Sequence, residues 1–343
     1  MVYHIGLIPM RPFTSHFRNS LLSSLSIWIP LLTMPLLLFA TAVLAVFLAN
    51  PMTDAGFMAF EDSSSLTNPL FFIVILLVFT GLLLLLIRYK LQAVIRFIIL
   101  ASLFLSYIYV FSGIFLLFQI SLSHATLLGI ILAGCATLLL VRFPEWYVID
   151  VLGVLLAGGI AAIFGISLEP LPVIVLLIIL AVYDAISVYR TKHMLTLADG
   201  VMQQKVPIMV IVPKKRNYSF RTEKFESIQP KEPQDRVQGP SDSHKIDEAS
   251  DDAPQKHSRA AYLMGLGDLI MPTVLVVSAA VFVPGGGIGV FSLCAIMTLI
   301  GSLIGLCILM SFVQKGSAHA GLPPLNGGAI AGFIIGMILL SWF

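Results

Sequence analysis

Two acidic residues lie inside long apolar stretches and are the side chains best suited to chemistry. Asp184 lies in "LLIILAVYDAISVYR" and Asp268 in "YLMGLGDLIMP". An acid surrounded by hydrocarbon costs about 2.5–3.5 kcal/mol on insertion scales, so it needs a partner, a water-filled cavity or a function. Two carboxylates a few ångströms apart cannot both ionise easily, so one keeps a proton while the other remains a base.

Such a pair supports two kinds of chemistry. The base can activate water while the acid protonates a departing peptide nitrogen, which hydrolyses an amide without a covalent intermediate. Alternatively, the two acids can charge and discharge along a pathway for cations or protons. The spacing of the acids fits both interpretations.

The composition indicates an integral membrane protein. Of 343 residues, 58% are hydrophobic and 11% are charged, and the mean hydropathy is +0.98. A soluble domain carries about 25% charged residues. The basic residues form no uncompensated patch laced with aromatic residues, which argues against nucleic acid as a partner. Cys135, Cys294 and Cys307 lack metal or redox spacing, so we expect them to be buried small hydrophobes, and we expect no metal or cofactor.

Nine apolar runs are long enough to cross a hydrocarbon core of about 30 Å as helices. They lie near 28–48, 69–87, 94–118, 125–141, 146–166, 171–190, 260–283, 288–312 and 325–343. Turn residues such as "PGGG" at 284–287 separate them. We therefore expect an all-α polytopic membrane protein with nine transmembrane helices.

Basic residues alternate between the links and set the orientation. They occur before the first span and in the second, fourth and eighth links: Arg11, Arg18, Arg88, Lys90, Arg96, Arg142 and Lys315. The intervening links "NPMTDAGFMAFEDSSSLTN", "QISLSH", "SLEP" and "PGGG" contain no Lys or Arg. Because cytoplasmic loops carry the excess of basic residues, we expect a cytoplasmic N-terminus and an outside C-terminus.

One long charged segment divides the chain into an N-terminal membrane bundle (1–190), a cytoplasmic loop (191–259) and a C-terminal membrane bundle (260–343). The loop holds 12 Lys/Arg and 10 Asp/Glu, and its second half should be disordered because it has little apolar surface to bury. In its first half, "TKHMLTLADGVMQQ" could form a surface helix. "VPIMVIVP" is a β-prone run that could be a membrane-dipping anchor or an exposed strand able to pair with a peptide.

The predicted topology places the two acids at one depth. The sixth span runs inward and ends near Arg190, so Asp184 lies roughly 9 Å above the cytoplasmic edge, and the seventh runs outward from Ala260, so Asp268 lies roughly 12 Å above it. These consecutive spans can pack as neighbours. Asp150 differs, because it lies near the cytoplasmic interface, and we expect it to be a solvated interfacial acid.

Glycines flank Asp268 on its N-terminal side. Gly265 and Gly267 leave that side of the helix bare, which allows a close helix or a substrate backbone to approach. Simple helix packing explains such a pair as well, because small residues are common wherever membrane helices meet.

Three motifs together resemble the presenilin and signal-peptide-peptidase family of intramembrane aspartyl proteases. They are the "YD" of Tyr183 and Asp184, the "GLGD" ending at Asp268, and a proline-leucine element before the last span. The family's third motif reads Pro-Ala-Leu, whereas Pro323, Pro324 and Leu325 read Pro-Pro-Leu here. The resemblance covers nearly the whole chain, and it is most like a compact microbial, archaeal-type presenilin homologue.

The resemblance implies a presenilin-like fold in which Asp184 and Asp268 are the catalytic pair. It assigns substrate contacts to Tyr183, Gly265, Leu266, Gly267, Pro323, Pro324 and Leu325. The orientation matches presenilins rather than the inverted signal peptide peptidases, so the substrate would be a single-span membrane protein that enters with its N-terminal end outside. The sequence is compatible with a homo-oligomer. The alternative function is a cation- or proton-coupled transporter that uses the same two acids.

Overall fold

The protein forms nine helices and one two-stranded sheet over the residues that its computed structural model describes. These are residues 14–188, 209–213, 261–313 and 320–342, with side chains described from residue 32 onward. The helices are α1 (Thr14–Asp54), α2 (Thr67–Arg88), α3 (Gln92–Leu117), α4 (Leu122–Arg142), α5 (Trp146–Ser167), α6 (Pro170–Ile186), α7 (Leu266–Phe282), α8 (Leu293–Val313) and α9 (Leu322–Leu340). The strands are β1 (Met209–Pro213) and β2 (Ala261–Gly265).

Seven of these helices are long and apolar enough to cross a bilayer, with α1 counted from Leu32. The other two, α6 and α7, have 17 residues each and rise about 26 Å, slightly less than the thickness of a hydrocarbon core. They are the two helices that carry Asp184 and Asp268. The acids therefore lie on the shortest helices in the described part of the chain.

Helix α7 lies at the centre of the bundle. It packs against α1, α5, α6, α8 and α9. Between Leu269 and Ala279 every side chain except that of Met271 is buried. Such a helix is apolar on all sides because it meets protein on all sides. The buried core thus begins immediately after Asp268.

Helices α8 and α9 approach each other through glycines. A Cβ added to Gly301 would overlap the carbonyl oxygen of Gly328, and one added to Gly305 would overlap that of Pro324. Small residues let membrane helices pack backbone against backbone, which maximises van der Waals contact where no hydrophobic effect is available between helices. This contact holds the beginning of α9 against α8.

Strand β1 pairs with β2 in an antiparallel register that runs from Met209 opposite Gly265 to Pro213 opposite Ala261. The β-prone run "VPIMVIVP" is therefore confirmed as a strand over Met209–Pro213, and its first three residues lie outside the described ranges. The expected start of the seventh span near residue 260 is wrong, because residues 261–265 are extended and the helix begins at Leu266. Hydropathy alone does not separate an apolar strand from the helix that follows it.

Three other expectations have different outcomes. Cys294 is buried, but Cys135 and Cys307 are exposed on the surface of their helices, so the predicted burial of those two is wrong. A thiol behaves as a small hydrophobe, so an apolar exterior accommodates it as well as a core does. The predicted surface helix "TKHMLTLADGVMQQ" and the predicted disordered half of the 191–259 loop lie outside the described residues.

The glycine contact between α8 and α9 can be tested with two adjacent residues. Gly328→Ala places a Cβ against Gly301 and about 3.0 Å from the Gly305 Cα, whereas Gly327→Ala meets nothing within 4 Å. Overpacking of this kind costs about 1–3 kcal/mol, while both substitutions gain the same helix propensity. We expect Gly328→Ala to lower the thermal unfolding midpoint in detergent by several degrees and Gly327→Ala to leave it unchanged or raise it. Equal midpoints would contradict the backbone contact.

Candidate active site

Asp184 lies in the last α-helical turn of α6, which continues as a π-helical turn to Val188, where the described residues stop, and Asp268 lies at the start of α7. Asp184 comes two residues before Ile186, the last residue of α6, and Asp268 is the third residue of α7. Asp184 is buried, whereas Asp268 is partly exposed. The two carboxyl groups are close enough to interact electrostatically. The helices thus bring both acids to one place.

Within the "GLGD" segment the backbone changes from strand β2 to helix α7. Gly265 ends β2 and is also the N-cap of α7, with an extended backbone at φ −65° and ψ 142°. The Asp268 carboxyl accepts a hydrogen bond from the backbone N–H of Gly265. An acid three residues after an N-cap satisfies the cap's N–H in the same way as in a capping box. This bond orients Asp268 toward the strand–helix junction.

The residues at the start of α9 meet both acids. The backbone N–H of Leu322 donates to Oδ2 of Asp184 over 3.1 Å, and the N–H of Gly321 donates to the same carboxyl. Gly321 also lies against Asp268, because a Cβ at that position would be 2.9 Å from Oδ2 of Asp268. The two carboxyl groups therefore converge on Gly321 and Leu322. Sequence reasoning missed both residues, although they come immediately before Pro323 in the sequence.

The prolines of this segment have a physical reason to be there. The first N–H groups of a helix have no partner within the helix, and such groups are costly in a membrane. Pro323 and Pro324 follow Leu322 at the start of α9 and have no N–H to satisfy. The N–H of Leu322 is satisfied by Asp184. Leu325 is fully buried and packs in the core rather than facing an opening.

Asn326 ties α9 to the helix that carries Asp184. Its Nδ2 donates to the carbonyl oxygen of Leu177 on α6 over 3.0 Å, and the side chain is buried. Its Oδ1 accepts no hydrogen bond among the described residues. Leu177 precedes Asp184 by about two helical turns. Sequence reasoning missed Asn326, and the available signal was that it is the one polar side chain of α9.

The other predicted substrate contacts are arranged around the acids in different ways. Tyr183 shares a side-chain hydrogen bond with Thr80 of α2. Leu266 packs on α5, where its Cδ2 lies 3.0 Å from the position of a Cβ on Gly153. Gly267 is exposed, and a Cβ there would meet nothing within 4 Å. The described residues therefore leave space beside Gly267, one residue before Asp268.

Asp150 is not a solvated interfacial acid, so that expectation is wrong. Its side chain is 6% exposed, and its Oδ1 accepts a hydrogen bond from the backbone N–H of Ile211 over 2.8 Å. The prediction failed because the donor comes from β1, which lies 61 residues away in the chain. The same contact makes the exposed-strand interpretation of β1 wrong. Val210, Ile211 and Val212 are buried, and β1 lies between β2 and α5.

The site's chemistry follows from two interacting carboxyl groups at the edge of a packed core. A pair of this kind can take a proton from water and give one to a leaving group. Backbone N–H groups hold both side chains, so the pair is oriented before a substrate arrives. Within the ranges that the structure describes, no group of three His, Cys, Asp or Glu side chains offers a set of metal ligands.

Comparisons with known proteins agree with the motifs. A family model described as signal-peptide peptidase, presenilin aspartyl protease matches residues 34–341. The chain is also similar to a presenilin family intramembrane aspartate protease solved in two crystal forms. For the C222 form the identity is 40% and the TM-score 0.63, with 90% of this chain and 99% of that chain covered. For the P2 form the identity is 41% and the TM-score 0.62, with 91% of this chain and 99% of that chain covered. A comparison with curated proteins finds no match.

These matches confirm the resemblance, the helical presenilin-like fold and the enzyme class, and they lend no support to a transporter. The protein is an integral multi-pass membrane protein and an aspartic endopeptidase that acts within the membrane. By sequence, by fold and by the motifs around its two acids, the chain belongs to the signal-peptide peptidase and presenilin family of aspartyl proteases.

Proposed function

We propose that Asp184 and Asp268 form the catalytic pair with which this protein cleaves single-span membrane proteins. The convergence of both carboxyl groups on Gly321 and Leu322 supports this pairing. An acid in a membrane span is costly unless it has a function or a partner. When two such acids lie together, each is the other's partner, and the pair can perform acid–base chemistry. The partly exposed Asp268 and the space beside Gly267 supply an approach for substrate and water.

The reaction uses one carboxyl group in its protonated form and the other as a carboxylate. The carboxylate removes a proton from water while the water oxygen bonds to the carbonyl carbon of the scissile amide. The protonated acid gives its proton to the carbonyl oxygen, which yields a neutral diol. In the second step the acid that now holds the water proton passes it to the amide nitrogen as the C–N bond breaks. The other carboxylate recovers a proton from the diol, so the pair returns to its starting state.

An intramembrane substrate must lose its helical hydrogen bonds before its amides can react, and a strand edge can replace those bonds. Because β1 lies between β2 and α5, the other edge of β2, which no described strand pairs with, would be the place for an added strand. That edge leads through Gly265 to Asp268. The motif residues in contact with the substrate would be Tyr183, Gly265, Leu266, Gly267, Pro323 and Pro324, while the buried Leu325 would hold the start of α9 from the core.

All nine helices cross the membrane in this proposal, with the N-terminus cytoplasmic, the C-terminus outside and the charged loop 191–259 between the bundles 1–190 and 260–343. The backbone N–H of Glu169, at the start of α6, bonds to Ser63 in the link between α1 and α2. This link is therefore at the end of α6 opposite Asp184. Since that link contains no Lys or Arg, the positive-inside rule assigns it to the outside and the acids to the cytoplasmic half.

Replacing either acid should stop cleavage. We expect Asp184→Asn or Asp268→Asn to lower kcat by about 10³-fold or more, because each removes one half of the acid–base pair while keeping the shape of the side chain. The measurement is mass-spectrometric detection of products from a purified single-span substrate, with and without an aspartyl-protease transition-state analogue. Glu169→Gln, at the far end of α6, should leave kcat unchanged. Undiminished cleavage by either Asp variant would refute the assignment.

Gly321 should matter because the acids leave no room beside it. Gly321→Ala adds a Cβ 2.9 Å from Oδ2 and 3.2 Å from Cγ of Asp268, so the Asp268 carboxyl group must shift from its place beside Asp184 or the start of α9 must move. Since a misplacement of about 1 Å can cost about 10²-fold, we expect kcat to fall by about 10- to 100-fold with little change in thermal stability. Gly327→Ala on the same helix is the matched control. Equal activity of the two variants would show that Gly321 does not set the position of Asp268.

The proposed orientation can be measured by thiol labelling. In a cysteine-free background, Ser64→Cys and Trp342→Cys should react with a membrane-impermeant maleimide in intact cells. Tyr89→Cys, in the link between α2 and α3, should react only after permeabilisation. All three side chains are exposed on the protein surface. A cysteine that escapes labelling is therefore shielded by the membrane and not by the fold. The opposite labelling pattern would invert the topology.

A further inference from the structure

Asp150 is the one acid buried in the described bundle that has no part in the proposed reaction. It lies on the second turn of α5, is 6% exposed, and receives the N–H of Ile211 on its Oδ1 over 2.8 Å. An acid at this depth costs free energy that this bond must help to offset. The contact joins a transmembrane helix to the middle residue of a five-residue strand.

The bond closes the side of β1 that faces away from β2. Successive N–H groups of a strand point to opposite sides, so an N–H that reaches α5 is one that the ladder with β2 does not use. Ile211 is opposite Leu263 in the register, at the centre of the sheet. The sheet is therefore held on α5 at its middle, and its shear or rotation would break the bond to Asp150.

The same face of α5 also contacts the first residue of α7. Gly153 follows Asp150 by three residues, so the two lie on one side of the helix. The Cδ2 of Leu266 lies 3.0 Å from the position of a Cβ on Gly153. One turn of α5 thus contacts β1 through Asp150 and the start of α7 through Gly153. Asp268 comes two residues after Leu266.

We propose that Asp150 is a positioning residue for the Asp184–Asp268 pair, because it fixes β1 on α5 and thereby fixes β2 and the first turn of α7 that carries Asp268. It also keeps β1 from accepting an added strand, which leaves β2 as the edge for the substrate. This inference rests on the proposed function for its effect on the reaction. The anchoring of the sheet does not depend on that function.

Two substitutions separate the hydrogen bond from the bulk of the side chain. Asp150→Ala removes the acceptor, whereas Asp150→Asn keeps an Oδ1 acceptor in nearly the same shape. Leu48→Ala is the control for stability alone: Leu48 is fully buried in α1 near Asp54, at the end of the bundle opposite the acids. A substitution of that kind lowers stability because it leaves a cavity in the core.

The first measurement is amide hydrogen exchange of the purified full-length protein in detergent. In Asp150→Ala we expect exchange in 209–213 and 261–268 to accelerate by about 10-fold or more, with Asp150→Asn close to the unsubstituted protein. Leu48→Ala should not accelerate these segments selectively. Unchanged exchange in Asp150→Ala would overturn the inference.

The second measurement is cleavage of the single-span substrate at a temperature where every variant is folded. We expect Asp150→Ala to lower kcat by about 10-fold or more with a smaller change in KM, Asp150→Asn to restore most of it, and Leu48→Ala to retain it. The inference would be overturned if Asp150→Ala and Leu48→Ala both lost kcat in proportion to their fall in melting temperature. Asp150 would then have only a structural role. If the unsubstituted protein cleaves nothing while Asp150→Ala still accelerates exchange, the proposed function fails and the anchoring stands.

Discussion

The bonding of carboxyl groups to backbone N–H groups is the interaction on which this structure depends. Hydrocarbon supplies no water to solvate an acid, so each acid in a span must find a donor in the protein. Asp150 finds Ile211, Asp184 finds Gly321 and Leu322, and Asp268 finds Gly265. Each donor comes from a strand edge or from the start of a helix. Those are the places where the backbone has N–H groups that no regular element uses.

That pairing explains why the acids lie at the ends of short helices. An acid in the middle of a long helix faces side chains and meets no free N–H, because every amide around it is already bonded within a helix. Helix α7 begins near Asp268 and α9 begins beside Asp184, so amides from the end of β2 and from the beginning of α9 come within reach of the acids. The start of α7 also leaves space beside Gly267 among the described residues. The hydrogen bonds to the acids and the space beside them thus depend on the same helix termini.

Sequence reasoning succeeded where side-chain type carries the information. The cost of an acid in hydrocarbon singled out Asp184 and Asp268, and the order of the apolar runs predicted that their helices can pack as neighbours, which the contact between α6 and α7 confirms. It failed where the partner is a backbone group, because any residue supplies an N–H. Gly321, Leu322 and the Ile211 donor to Asp150 are therefore invisible to composition and pattern, and β2 was read as the start of α7 since both are apolar. Asn326 could have been found, because a single amide on an otherwise apolar helix needs a partner.

The position of the Leu322 donor follows from contacts that leave little freedom. Gly305 lets the backbone of α8 touch the Pro324 carbonyl, and Asn326 binds the Leu177 carbonyl on α6. Together they fix the beginning of α9 from two sides, within one turn of Leu322. Contacts between backbones do not depend on rotamers, so they hold an atom more tightly than side chains do. The acids are consequently placed by one backbone-to-backbone contact and one side-chain hydrogen bond to a backbone carbonyl, while the space that the described residues leave lies on the other side of Asp268, at the exposed Gly267.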